Sequence, residues 1–182
     1  TFAWSRASVT GIGNAASTGT VAITETLVNT TQTPLVVSYV YVLTANGCSN
    51  PQTVAIVIKP TPTLSSAISN APVCNNTVFA YTATSATVGT TFAWSRAAVT
   101  GISNAAATGT GSINETLINT TANPINATYV ITLTANGVTN IQNVVVTVYP
   151  TPTLSSSLTP SAVCSGATFN YTPTSATTGT TY

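Results

Sequence analysis

The chain has 182 residues, 43% of them hydrophobic and only 3% charged; Arg6, Lys59 and Arg96 stand against Glu25 and Glu115 for a net charge of +1. Three cations cannot neutralise the run of phosphates from which nucleic-acid affinity is built, nor form a polybasic membrane patch, and no apolar stretch reaches the ~20 residues of a spanning helix. Histidine and aspartate are absent, so the many Ser and Thr hydroxyls have no evident general base, and neither catalysis nor a cofactor is expected.

Thr alone fills 40 positions, and Val, Ile and Tyr are frequent; such side chains fit a pleated, half-buried surface, so the expected class is all-β. In chain order, residues 39–43 and 54–58 read as strands joined at Asn46-Gly47. That dipeptide suits a type I′ turn, whose central residues both need positive φ. Ser49-Asn50-Pro51 is expected to interrupt the pairing just after it. Residues 64–68 read as an edge strand. Residues 78–84 follow as a strand with Phe79 and Tyr81 on one face, then 91–96 with Phe92 and Trp94 on one face. The polar, Ala- and Gly-rich stretch 99–111 suits a loop with a short strand, and 113–118 is a further strand. Tyr129, Ile131 and Leu133 then alternate, Asn136-Gly137 turns the chain, and Val144, Val146 and Val148 alternate back.

An internal repeat organises all of this. Thr1-Phe2-Ala3-Trp4-Ser5-Arg6-Ala7 returns as Thr91-Phe92-Ala93-Trp94-Ser95-Arg96-Ala97, and the offset of 90 then holds without a gap, with 54 of 92 aligned positions identical. A period that long is the size of one β-sandwich domain, not of a solenoid layer. Pro60-Thr61-Pro62 and Pro150-Thr151-Pro152 punctuate it as short, stiff joints. The expected division is therefore 1–60, the C-terminal two-thirds of one repeat; 61–150, a complete repeat; and 151–182, the N-terminal third of the next.

Trp4 and Trp94, with Phe92, Tyr39 and Tyr129, are the expected core, since aromatics of one strand parity are buried together. Arg96 and Glu115 recur from Arg6 and Glu25. They read either as an exposed pair at the sheet end, worth ~0–1 kcal/mol, or as a repeated contact between domains or filaments. Cys74 and Cys164 are equivalent positions, whereas the equivalent of Cys48 is Val138. One cysteine cannot bridge within the complete repeat, which leaves an inter-domain or inter-chain disulfide among Cys48, Cys74 and Cys164, or free buried thiols. With no histidine and no Cys-x-x-Cys, zinc is not expected. Asn29, Asn75, Asn114, Asn119 and Asn126 open Asn-x-Ser/Thr triplets, which this composition produces without any glycan.

Ala167-Thr168-Phe169-Asn170-Tyr171-Thr172-Pro173-Thr174-Ser175, Thr91-Phe92-Ala93-Trp94 and Tyr129-Val130-Ile131-Thr132-Leu133-Thr134, with the closing strand that runs into Pro150, together resemble PKD-like, immunoglobulin-fold tandem repeats. Arrays of this kind occur in very large cell-surface proteins of Bacteroidota, including gliding-motility adhesins of the SprB type. The chain departs from them after Trp94, where Ser95-Arg96-Ala97 replaces the usual acidic turn, so calcium binding is not carried over. The resemblance implies an extracellular structural or adhesive stalk. A subunit of a multi-chain fibre or sheath, or a carbohydrate-binding accessory module of a secreted enzyme, are the alternatives. The partners expected are neighbouring repeats of the same chain, with laterally placed copies and surface polysaccharide as further candidates.

Overall fold

In the computed structural model of the protein, which describes residues 2–182, all regular structure is β. Contacts divide the chain into two compact units, one of Thr1–Ser65, Thr84–Thr91 and Thr132–Ile141, the other of Ser66–Ala83, Phe92–Ile131 and Gln142–Tyr182.

The first sheet contains β1 (Phe2–Arg6), β2 (Ser17–Gly19), β3 (Leu35–Ala45) and β4 (Cys48–Ile58), in the order β2-β1-β3-β4. Asn46 and Gly47 take φ of 51° and 80°, so the β3–β4 turn has the left-handed geometry that Asn-Gly accommodates. Pairing then runs unbroken from Ala45↔Cys48 to Leu35↔Ile58, with Pro51 opposite Val42. The expected interruption at Ser49-Asn50-Pro51 is therefore absent. β4 is the edge of its sheet, where a residue without an N–H is tolerated. Trp4, Ile12, Val37 and Tyr39 form the buried cluster of this sheet, and Trp4 meets Tyr39 edge to face with ring centroids 5.7 Å apart. Residues 23–27, which correspond at the offset of 90 to a strand of the second copy, form none here.

The second copy is a two-sheet sandwich. β5 (Val73–Cys74), β7 (Thr91–Arg96), β8 (Ala107–Thr110), β10 (Ile125–Ala135) and β11 (Val138–Tyr149) form a five-stranded sheet in the order β5-β11-β10-β7-β8. β6 (Thr77–Tyr81) and β9 (Ile113–Leu117) pair as a separate ribbon. Period two puts Tyr129, Ile131, Leu133, Val144, Val146 and Val148 on the inner face of the larger sheet. Phe79, Tyr81, Ile113 and Leu117 face inward from the ribbon, and all ten are buried. Alternate side chains of two facing sheets interdigitate in this way to make one core.

No strand forms at 64–68. That segment bends at Ser66 and Ile68 and its end meets β11 through single contacts: Val145 N–H donates to the Ile68 carbonyl and Asn70 N–H to that of Val145. Ser69 makes one isolated parallel bridge with Val145, and a parallel ladder begins at β5, where Val73 lies beside Val148. Pro60, Pro62 and Pro72 bring no N–H to a ladder here. Residues 151–182 contain no strand, although Phe169 and Tyr171 stack at 6.1 Å as Phe79 and Tyr81 do at 6.2 Å.

Candidate functional site

The most organised polar site is built on the inner face of the sandwich. Phe92, Trp94 and Arg96 share the parity of β7, so the strand that delivers the indole also delivers a guanidinium to the interior. Arg96 is 1% exposed. Burying a charge is costly unless it is paired and hydrogen-bonded. Glu115 supplies the pair: it shares the inner face of β9 with Ile113 and Leu117 and receives Arg96 Nε at 2.9 Å and Nη2 at 3.1 Å. Nη2 also donates to the Ala105 carbonyl at 2.7 Å and Nη1 to that of Ala97 at 3.2 Å. The Tyr129 hydroxyl, from β10, donates to Glu115 Oε2 at 2.6 Å. Three strands drawn from both sheets thus meet at one carboxylate.

The same constellation stands in the first copy. Arg6 donates to Glu25 through Nε at 2.8 Å and Nη2 at 3.0 Å, and Tyr39 donates to it at 2.6 Å. Arg96 and Glu115 are therefore neither an exposed pair at a sheet end nor a contact between domains. The sequence reading missed their burial because a lone Arg is ordinarily solvated. The available signal was its even spacing from Trp94 on an inward-facing strand.

Each group is held in one charge state. The Arg6 hydrogen bonds, then that of Tyr39, lower the Glu25 carboxyl to about 2 against the opposing effect of burial. Arg96 likewise holds Glu115 below the usual carboxylate range. Burial, reinforced by the bond to Glu115, raises the Tyr129 phenol well above its ordinary value, and the Glu115 hydrogen bond raises Arg96. A fixed anion, a fixed cation and a fixed phenol move no proton near neutrality. Chemically the cluster is a staple.

The expected aromatic core is met in part. Tyr39, Tyr129 and Trp4 are buried, but Trp94 and Phe92 are only half-buried. Trp94 lies edge-on to Tyr129 at 5.8 Å and covers Gly109 of β8, its cross-strand partner. A Cβ there would stand 2.7 Å from the indole, and the same holds for Gly19 beneath Trp4. Trp4 Nε1 donates to the Val21 carbonyl at 2.9 Å. Gly111 occupies the matching position with φ of 76°, and no acceptor reaches Trp94 Nε1.

Sequence reasoning also missed Asn119. Its amide donates to the Asn123 and Val148 carbonyls at 2.8 and 2.9 Å, while its oxygen accepts from the N–H and hydroxyl of Thr121. Asn29 repeats this on Thr33, Ile58 and Thr31. These two triplets are turn staples whose amide nitrogens are already committed, and Asn119 is buried. The three cysteines are free and exposed, which corrects the expectation of buried thiols; no disulfide joins them.

Around the Pro-Thr-Pro segments two threonines are buried. In the first unit Thr87 donates to Gln32 Oε1 at 2.6 Å, and Asn140 donates to the Pro62 carbonyl at 2.9 Å. In the second, buried Thr177 donates to the Thr151 carbonyl at 3.5 Å, Thr178 N–H to that of Ala122 at 3.0 Å, and the Thr178 hydroxyl to Asn123 at 2.5 Å.

No metal-binding group of three His, Cys, Asp or Glu occurs among the described residues, and no helix there is long and apolar enough to cross a membrane. A comparison with curated proteins found no match. Residues 71–152, which carry the whole sandwich from β5 to β11, match the family model of a PKD-like domain, and the two-sheet fold with its inward Trp strand is of that immunoglobulin-like kind.

Proposed function

We propose that this chain is part of the structural and adhesive repeat region of a long extracellular bacterial surface protein, acting as a stiff stalk for adhesion or surface motility and not as an enzyme. One observation carries the reading: the scarce charges are spent on an Arg–Glu–Tyr staple that recurs at the offset of 90 and, in the complete copy, ties one sheet to the other. Four of the five charged side chains are committed to two Arg–Glu–Tyr clusters, which leaves Lys59 as the remaining charge. A domain that uses its ionisable groups to clamp its sheets is suited to resisting deformation. The match of 71–152 to a PKD-like domain supports the same class.

The Pro60-Thr61-Pro62 and Pro150-Thr151-Pro152 segments, with their fixed φ, favour short, stiff joints between successive repeats. Each repeat would advance the stalk by about 30–40 Å, from strands of 8–10 residues at ~3.3 Å each and a joint. Many weak contacts along such a stalk would act multivalently. Immunogold microscopy of intact source cells, with antibody to residues 61–150, tests the reading. Gold along thin surface filaments is expected; antigen found only in the medium would replace the stalk with an accessory module of a secreted protein.

A further inference from the structure

In the complete copy, the short strand β8 forms one margin of the five-stranded sheet. Its pairing with β7 sets Ala93 opposite Thr110 and Trp94 opposite Gly109, and Gly111 N–H donates to the Phe92 carbonyl at 3.4 Å. Along an antiparallel pair, positions that exchange main-chain hydrogen bonds alternate with positions that do not. Ala107 and Gly109 are therefore bonded to β7, and the N–H and C=O of Thr108 and Thr110 point away from the sheet. No main-chain group of the described residues bonds to them there.

Two other margins of this sandwich are covered. The Asn104 side chain lies along β9, donating to the Thr116 carbonyl at 2.9 Å and accepting from Ile118 N–H at 2.9 Å. β5 and the bridge at Ser69 lie along β11. Strand β8 has no such cover among the described residues, and it lacks the Pro or Lys that commonly guard an open edge. Residues 105–111, Ala-Ala-Ala-Thr-Gly-Thr-Gly, are uncharged throughout. Arg96, opposite Ala107, is turned inward onto Glu115. The same edge recurs at the offset of 90: Trp4 faces Gly19 as Trp94 faces Gly109, and Thr18 stands where Thr108 does. Unpaired N–H and C=O groups in a row are met best by another extended strand.

We infer that β8 is a pairing edge for β8 of a second copy of this chain, antiparallel and two-fold about Gly109. The register follows from the groups left open. Thr108 of each copy exchanges both main-chain hydrogen bonds with Thr110 of the other, and the two Gly109 residues face each other at the centre. At such an unbonded position the Cα atoms approach to about 4.5 Å. Glycine leaves that seam clear, because the space of its missing Cβ is taken by the Trp94 indole of the same copy. On the outer face the threonines meet as cross-strand Thr–Thr pairs, which are favourable. One patch serves both copies, so the contact is isologous, and no charge on the edge opposes it. A strand this short makes each contact weak, but an edge that returns with the period of 90 lets many act together. The inference goes beyond the stalk reading by giving it a lateral partner, and its failure would leave that reading as it stands.

Disulfide trapping tests the contact and its register together. In a chain whose exposed Cys48, Cys74 and Cys164 are changed to Ser, two single-cysteine forms are made, Thr108→Cys and Thr110→Cys. Both threonines are exposed, so both forms keep the fold, which near-ultraviolet circular dichroism checks. In the two-fold register, residue 108 faces residue 110 of the other copy with Cα atoms about 5.5 Å apart, within reach of a disulfide. Like residues lie diagonally across the seam, beyond that reach. Mild oxidation of the two forms mixed in equal amounts should therefore give a mixed dimer, seen by mass spectrometry, and each form alone should remain monomeric. A mixture that yields no mixed dimer overturns the inference. Like dimers formed as readily as the mixed one would show unspecific collision or another register, and overturn it equally.

Discussion

Residues 35–58 and 125–148 form hairpins with the same turn and the same inward parity, yet they end in different environments. Val54 is 51% exposed and Ile56 49%, whereas Val144 and Val146 are 0% exposed. The second hairpin is faced by the β6–β9 ribbon, with the 68–74 segment along the edge of β11; the first has no such cover among the described residues. The hairpins themselves form in both places, because the Asn-Gly turn and the β-branched strands are local causes. Burial is not local. It needs a second sheet, and the comparison shows which residues depend on one and which do not.

The staple sharpens that comparison most. Replacing Arg96 with Met leaves the Glu115 carboxylate inside the sandwich without its cation, and removal of one member of a buried pair costs about 3–5 kcal/mol. Denaturant unfolding followed by tryptophan fluorescence should show the midpoint fall accordingly. Replacing Arg96 and Glu115 together by Met and Leu should recover much of the loss; no recovery would mean that the pair does more than neutralise itself.

Truncating Leu133 to Ala should destabilise by about 2–5 kcal/mol, the range for emptying a buried leucine site. The same change at exposed Leu43 should fall within about 0.5 kcal/mol. Equal losses at the two sites would mean that the first face is covered in solution. Gly109→Ala should cost about 1–3 kcal/mol, because the new Cβ forces the Trp94 ring off its strand neighbour. Near-ultraviolet circular dichroism would report the displaced indole.

The chain has two acidic side chains, both in staples, so its acid limb reports them almost alone. Their folded pKa values lie below the unfolded value of about 4.3. The stabilisation is therefore complete above that value and lost as pH falls through the folded pKa, which for Glu25 is about 2. Unfolding midpoints should be level from neutrality to about pH 5 and then decline toward pH 2. Changing both glutamates to Gln should flatten that decline. The smallest expected effect is at the indoles. Trp4→Phe forfeits a hydrogen bond and Trp94→Phe does not, a difference of about 1 kcal/mol in the two losses.

Much of the fold is legible along the chain. Alternation from Tyr129 to Leu133 and from Val144 to Val148 marks the central hairpin, and Phe79 with Tyr81 marks the inward face of β6. Segment 64–68 is one exception, as is the unbroken pairing at Ser49-Asn50-Pro51: the composition of 64–68 suits a strand, but its contacts to β11 are too few to make a ladder. Of the candidate site, the residues were legible and their arrangement was not. Arg96 and Glu115 could be seen to recur, but 19 positions separate them, and nothing local says that β7 and β9 face each other. Asn119 looks like one more polar residue in a polar chain until its amide is found bonded to Val148 across the domain.

The sequence by itself determined the all-β class, the period of 90, the hairpin turns and the parity of each strand, because these rest on backbone preference and side-chain alternation between near neighbours. Only the tertiary structure decided which inward residues are buried, that Arg6 and Arg96 are clamped and not solvated, and that the cysteines lie at the surface. Those outcomes depend on which sheet comes to lie over which, and that is a matter of contacts between residues far apart in the chain.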